Sequence, residues 1–197
     1  MNWLIELVNE FHTSELQTRI FGLILYSDES PYVKKMLEDT DFWKALDEKS
    51  GKKWYIFAIK SKQGHFEIPK TKSDQFAFMI PIWKEPEENK ELLEDFEVDS
   101  TKNLPLFITF FIGKDNELTK YQLPIEGKNV DSIYESTANI IDEITEAIDK
   151  IELDNYENTE GLTNALDALF ENRIKWNKIK NGYKILKKIK ELLSITE

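Results

Sequence analysis

The sequence predicts an α/β protein built on a mixed sheet with flanking helices. Three observations predict it. Apolar runs at 20–26, 54–59 and 106–112 have the length and the β-branched or aromatic content of strands covered on both faces. The first two runs are separated by a helical pattern, giving a strand–helix–strand unit long enough for a parallel pair. The third is followed by the turn Lys114-Asp115-Asn116-Glu117 and an alternating run at 118–125, which reads as a hairpin.

Taken in order, residues 2–12 space Trp3, Leu4, Leu7, Val8 and Phe11 along one helix face. The first strand ends at Ser27-Asp28-Glu29. Ser30-Pro31 then starts a helix, an N-cap hydroxyl followed by proline at the first helical position. Val33, Met36 and Leu37 supply its inner face. Asp39-Thr40-Asp41 offers a second cap, after which Phe42, Trp43 and Leu46 continue to a stop at Ser50-Gly51. Residues 61–86 read as an insertion: polar and turn-rich first, then an apolar stretch at 75–83 with the marks of an edge strand. Leu92, Leu93 and Phe96 support a short helix within an acidic segment whose charges suit a solvated face. The run at 118–125 sets Leu118, Lys120 and Gln122 against Thr119, Tyr121 and Leu123, the pattern of a less buried edge strand. Asn129 caps a long helix carrying Ile133, Thr137, Ile140, Ile141, Ile144, Ile148 and Ile151 at intervals of three and four. The composition shifts after Leu153. A polar linker leads to Leu162, Leu166, Leu169 and Phe170. A basic run of eight Lys or Arg between 173 and 190 is expected to be helical, with Trp176, Ile179, Tyr183, Leu186, Ile189 and Leu193 as its apolar side. The expected organisation is one domain over 1–153 and a helical extension over 159–197.

Composition narrows the function classes. A net charge of −11 opposes general nucleic-acid binding, which needs a basic footprint. The absence of cysteine removes disulfides, thiolate catalysis and Cys-based metal sites. His12 and His65 stand apart, and neither has a second ligand at metal spacing, so no metal site and no cofactor are expected. All seven glycines are isolated, so no phosphate-cradling loop is present. A Ser–His–acid set lacks a nucleophile elbow. The N-terminus lacks a signal-peptide pattern and no apolar run is long enough to span a bilayer. The expected location is therefore cytoplasmic, with a membrane partner disfavoured.

The order strand, helix, strand, insertion, helix, strand, strand, helix over 18–151 resembles a thioredoxin-like domain. The residues that carry the likeness are Ser30-Pro31 after a buried strand and Leu104-Pro105 entering another. The resemblance implies that the Leu104–Pro105 bond is cis. It also implies a substrate groove between the start of the first helix and this loop, formed by Ser27, Asp28, Glu29, Ser30, Pro31, Leu104 and Pro105. Where redox-active members hold Cys-x-x-Cys, this chain has Ser27 and Ser30, and serine cannot perform disulfide exchange. The expectation is a redox-inactive, non-catalytic module that binds a protein or peptide, with no catalytic residue assigned. The alternative is a glutathione-transferase-like or other serine-dependent enzyme using Ser27, Ser30 or Tyr26. The basic tail adds a further expectation, a homodimer formed through the C-terminal helices.

Overall fold

Alternation in the apolar runs decides which side chains face which layer. The computed structural model describes residues 19–50, 54–62, 64–67, 82–112, 117–151, 159–170 and 176–180. Five strands form one sheet: β1 (Arg19–Ser27), β2 (Tyr55–Ser61), β5 (Leu106–Ile112), β6 (Glu117–Pro124) and β7 (Trp176–Lys180). Their order is β2-β1-β5-β6-β7. β1 and β2 are parallel, in a register that sets Ser27 opposite Ser61. β5 is antiparallel to β1, with Leu106 opposite Leu25, and the hairpin strand β6 is antiparallel to β5. The mixed sheet is therefore the one that the three apolar runs predict.

The two faces of the sheet are covered unequally. Ile20, Ile24, Phe107, Phe111, Tyr121 and Leu123 point into one core. There they meet helices α1 (Pro31–Glu38), α2 (Thr40–Ser50), α4 (Val130–Lys150) and α5 (Thr159–Phe170). The intervening residues Phe21, Leu23, Leu25, Ile108, Phe110 and Leu118 point the other way, as the period of two requires. Among the described residues, the helix on that second face is α3 (Glu87–Asp95), which contributes Leu93, with Phe96 and Val98 following it.

Local chemistry sets the helix boundaries. The α1 chain leaves helix at Asp39, whose Oδ1 accepts from the backbone of Asp41 at 3.0 Å and Phe42 at 3.3 Å. The Asp39-Thr40-Asp41 signal thus splits the predicted helix in two. Asn129 and Ser132 form a reciprocal capping box at the start of α4. The end of α3 carries paired bonds, Val98 N–H to Leu93 O at 2.8 Å and Glu97 N–H to Glu94 O at 3.1 Å. This is a Schellman closure, with Glu97 at φ 51° in the left-handed position that usually holds glycine.

Three expectations need correction. The basic run after 173 is not helical at 176–180: that segment is β7, antiparallel to β6, with Tyr121 opposite Trp176. The physical reason is that β6 would otherwise leave a row of backbone donors and acceptors unpaired, and β7 supplies their partners. For the same reason β6 is not an edge strand, and Lys120 within it is 1 % exposed. The insertion does not extend the main sheet in its described parts. β3 (His65–Glu67) and β4 (Ile82–Lys84) pair with each other as a separate two-stranded sheet. The expected helix at 2–12 and the tail residues Tyr183, Leu186, Ile189 and Leu193 lie outside the described residues. α5 packs Leu162, Leu166 and Phe170 into the same core as α4.

Candidate functional site

One end of the sheet gathers the residues singled out in the sequence. β1 stops at Ser27, two residues beyond the Leu25–Leu106 pair, and Leu104 lies two residues before that pair on the neighbouring strand. The register therefore sets the end of β1 beside the loop that leads into β5. The Leu104–Pro105 bond is cis, as the resemblance implies. The Pro105 carbonyl accepts from the Ile125 N–H at 3.1 Å, which ties this loop to the exit of β6.

The individual residues differ in what they offer. Asp28 is exposed and forms an ion pair with Lys60 at 2.6 Å; this bond holds the Lys60 ammonium above its ordinary value. Glu29 and Pro31 are exposed, while Leu104 and Pro105 are half-buried. Ser27 and Ser30 are buried at 2 % and 6 % exposure, so neither hydroxyl lies on an open surface. Ser30 also departs from its expected role. It is the N-cap residue of α1, but its side chain caps nothing, and its Oγ is buried without a hydrogen-bond partner. Tyr26 is half-buried, and burial raises its phenol above the ordinary tyrosine value.

Of the predicted tail face only Trp176 and Ile179 fall among the described residues, while Tyr183, Leu186, Ile189 and Leu193 lie outside them. Trp176 and Ile179 belong to β7 rather than to a helix.

A polar cluster that the sequence reading did not identify supports the loop. Asn89 receives the Lys62 N–H at 3.0 Å and donates to the Lys62 carbonyl, occupying both backbone groups of that residue. Glu85 accepts from Asn89 Nδ2 at 3.3 Å and from the Thr101 N–H at 3.1 Å. Thr101 Oγ1 accepts from the Gly64 N–H at 3.1 Å. These bonds join the β2–β3 turn, the start of α3 and the short 3-10 helix (Thr101–Asn103) that precedes Leu104. The Lys102 ammonium sits 4.5 Å from the centroid of the Phe66 ring, which places the insertion against the same loop. Phe66 is 58 % exposed and Tyr32, on the first turn of α1, is 40 % exposed. Among the described residues, two of the three exposed large apolar side chains are thus borne by elements bordering this end of the sheet. The signal for Asn89 was weak, because one polar residue inside an acidic helix looks like any solvated position, and Thr101 carried none beyond an ordinary turn residue.

Among the described residues, no group of three or more His, Cys, Asp or Glu is placed to hold a metal ion. None of the described helices is long and apolar enough to cross a membrane. Comparison with protein-family models, with curated proteins and with solved structures gives no match, so the fold and the residues at this end of the sheet carry the functional argument.

Proposed function

We propose that this is a non-catalytic binding module of thioredoxin-like architecture, which holds an extended protein or peptide segment at the Ser27–Pro105 end of its sheet. The observation that carries the reading is the register that sets the end of β1, and with it the start of α1, beside the Leu104–Pro105 loop. Parallel β1 and β2, the intervening helices, the hairpin and the final helix supply the remaining features of the resemblance, in its order. Backbone at such a loop can pair with an incoming strand, while exposed rings such as Tyr32 and Phe66 contribute apolar contact.

The serine-enzyme alternative draws no support from Ser30. A nucleophilic serine needs a base within hydrogen-bond reach, and the Ser30 Oγ has no partner. The experiment is site-specific photo-cross-linking in cells, with the reactive side chain placed at Tyr32, at Phe66 or at the exposed Asn139 of α4. The reading expects one common partner captured from positions 32 and 66, and none of it from 139. Equal capture from all three positions contradicts it.

A further inference from the structure

The two faces of the sheet are fastened by different means. α4 alone buries eight residues against its face, from Ile133 to Ile148. On the opposite face, the buried apolar anchors of the described segment 85–104 are Leu93, Phe96 and Val98. Leu104 also packs against this core, and polar bonds add to the attachment. At one end stand the bonds of Glu85, Asn89 and Thr101 to the β2–β3 turn. At the other, Lys120 Nζ and Gln122 Nε2, both on β6, donate to the Phe96 carbonyl, and Lys120 pairs with Glu97 at 3.2 Å.

Lys120 is an unusual fastener. Its side chain is 1 % exposed, on a strand position opposite Phe110, whereas its partner Glu97 is about half exposed. The ammonium has therefore lost its water while its counter-charge has kept much of its own. Burial lowers the Lys120 pKa from the ordinary lysine value, and Glu97 only partly opposes this. Glu97 also holds a left-handed φ, a conformation that is strained for any side chain bearing a Cβ. Lifting the segment would rehydrate the ammonium and release that strain. Closure is favoured by Leu93, Phe96, Val98 and Leu104 and by the hydrogen bonds.

We propose that residues 85–104 form a strap that opens and closes over this face of the sheet, with the buried charge of Lys120 keeping the closed state openable. The strap ends at Leu104, so its opening releases one wall of the cleft at Pro105. It also uncovers part of the apolar row Leu23, Leu25, Phe57, Ile59 and Ile108. This goes beyond the binding proposal, because strap motion can be measured in the isolated protein.

The test is native-state hydrogen exchange on the full chain, comparing wild type with Lys120→Met, Lys120→Leu and Glu97→Ala. A simple latch predicts that every one of these substitutions loosens the strap. The buried-charge account predicts opposite signs. Lys120→Met leaves the Phe96 carbonyl bonded to Gln122 at 2.5 Å and removes the desolvated charge. Exchange of the Glu97, Val98 and Leu104 amides should then slow by roughly tenfold or more. Glu97→Ala leaves the ammonium less compensated and should speed the same amides, with the α4 amides unchanged in both variants. Faster strap exchange in Lys120→Met, equal changes across strap and α4, or failure of both apolar variants to fold would each overturn the proposal.

Discussion

Gly22 lies where two aromatic rings converge on β1. A Cβ there would come within 2.7 Å of the Trp54 ring and 2.9 Å of the Phe107 ring. Those rings pack edge to face at 6.1 Å between centroids, and Trp54 is further fixed by a 3.1 Å bond from Nε1 to Thr145 Oγ1. Neither ring is free to retreat. Gly22→Ala should destabilise the fold by about 1–3 kcal/mol, read as a lower denaturant midpoint with an unchanged slope. Tyr121 tests electrostatics on the same face. Its hydroxyl donates to Asp167 at 3.0 Å, and burial, reinforced by that carboxylate, raises its pKa far above the ordinary tyrosine value. The folded state therefore keeps this proton where the unfolded chain would lose it. The associated stability is complete below the unfolded value of about 10 and falls as pH rises above it. Tyr121→Phe should be less stable than wild type by about 1 kcal/mol at pH 8. The gap should narrow above pH 10, as measured by melting temperature across that range.

At the scale of elements, the features legible in the sequence were those encoded within a few residues. The buried strands announced themselves as unbroken apolar runs, Pro31 marked the start of α1, and Asn129 marked the start of α4. Asp39 shows how fine the local code is: the same three residues that suggested a second cap provide it, and Asp39→Ala should weaken α2 by about 1 kcal/mol in thermal unfolding. What stayed illegible depended on partners distant in the chain. Lys120 sits in a run that reads as half solvated, yet it pairs with β7 along its backbone and its ammonium reaches the Phe96 carbonyl after α3. β7 reads as basic helix because its reason for being a strand is the open edge of β6, more than fifty residues earlier. α5 tests whether this C-terminal part is integral. Leu166 is completely buried in the α4 core, so Leu166→Ala should cost about 2–5 kcal/mol, measured by chemical denaturation. A loss below 0.5 kcal/mol would show α5 to be a dispensable appendage.

At the scale of the molecule, four of the described helices cover one face of the sheet. The other is spanned by α3 and the chain leading to Leu104, and the two coverings meet at the Ser27–Pro105 end. The candidate groove was legible in part because Ser30-Pro31 and Leu104-Pro105 are sequence-local signals. Its outer wall was not, because Phe66 reaches it through the insertion and Asn89 through side-chain bonds to Lys62. The absence of cysteine and the partnerless Ser30 hydroxyl turn the proposal from chemistry toward recognition. The most direct measurement is backbone amide chemical-shift mapping of the isotope-labelled protein with the partner segment captured by cross-linking. The account predicts that the largest changes fall on residues 27–33, Gly64 to Phe66, 101–104 and Ile125, with the outer side of α4 unmoved. Changes centred on α4 or β7, with the Pro105 end unperturbed, would contradict it.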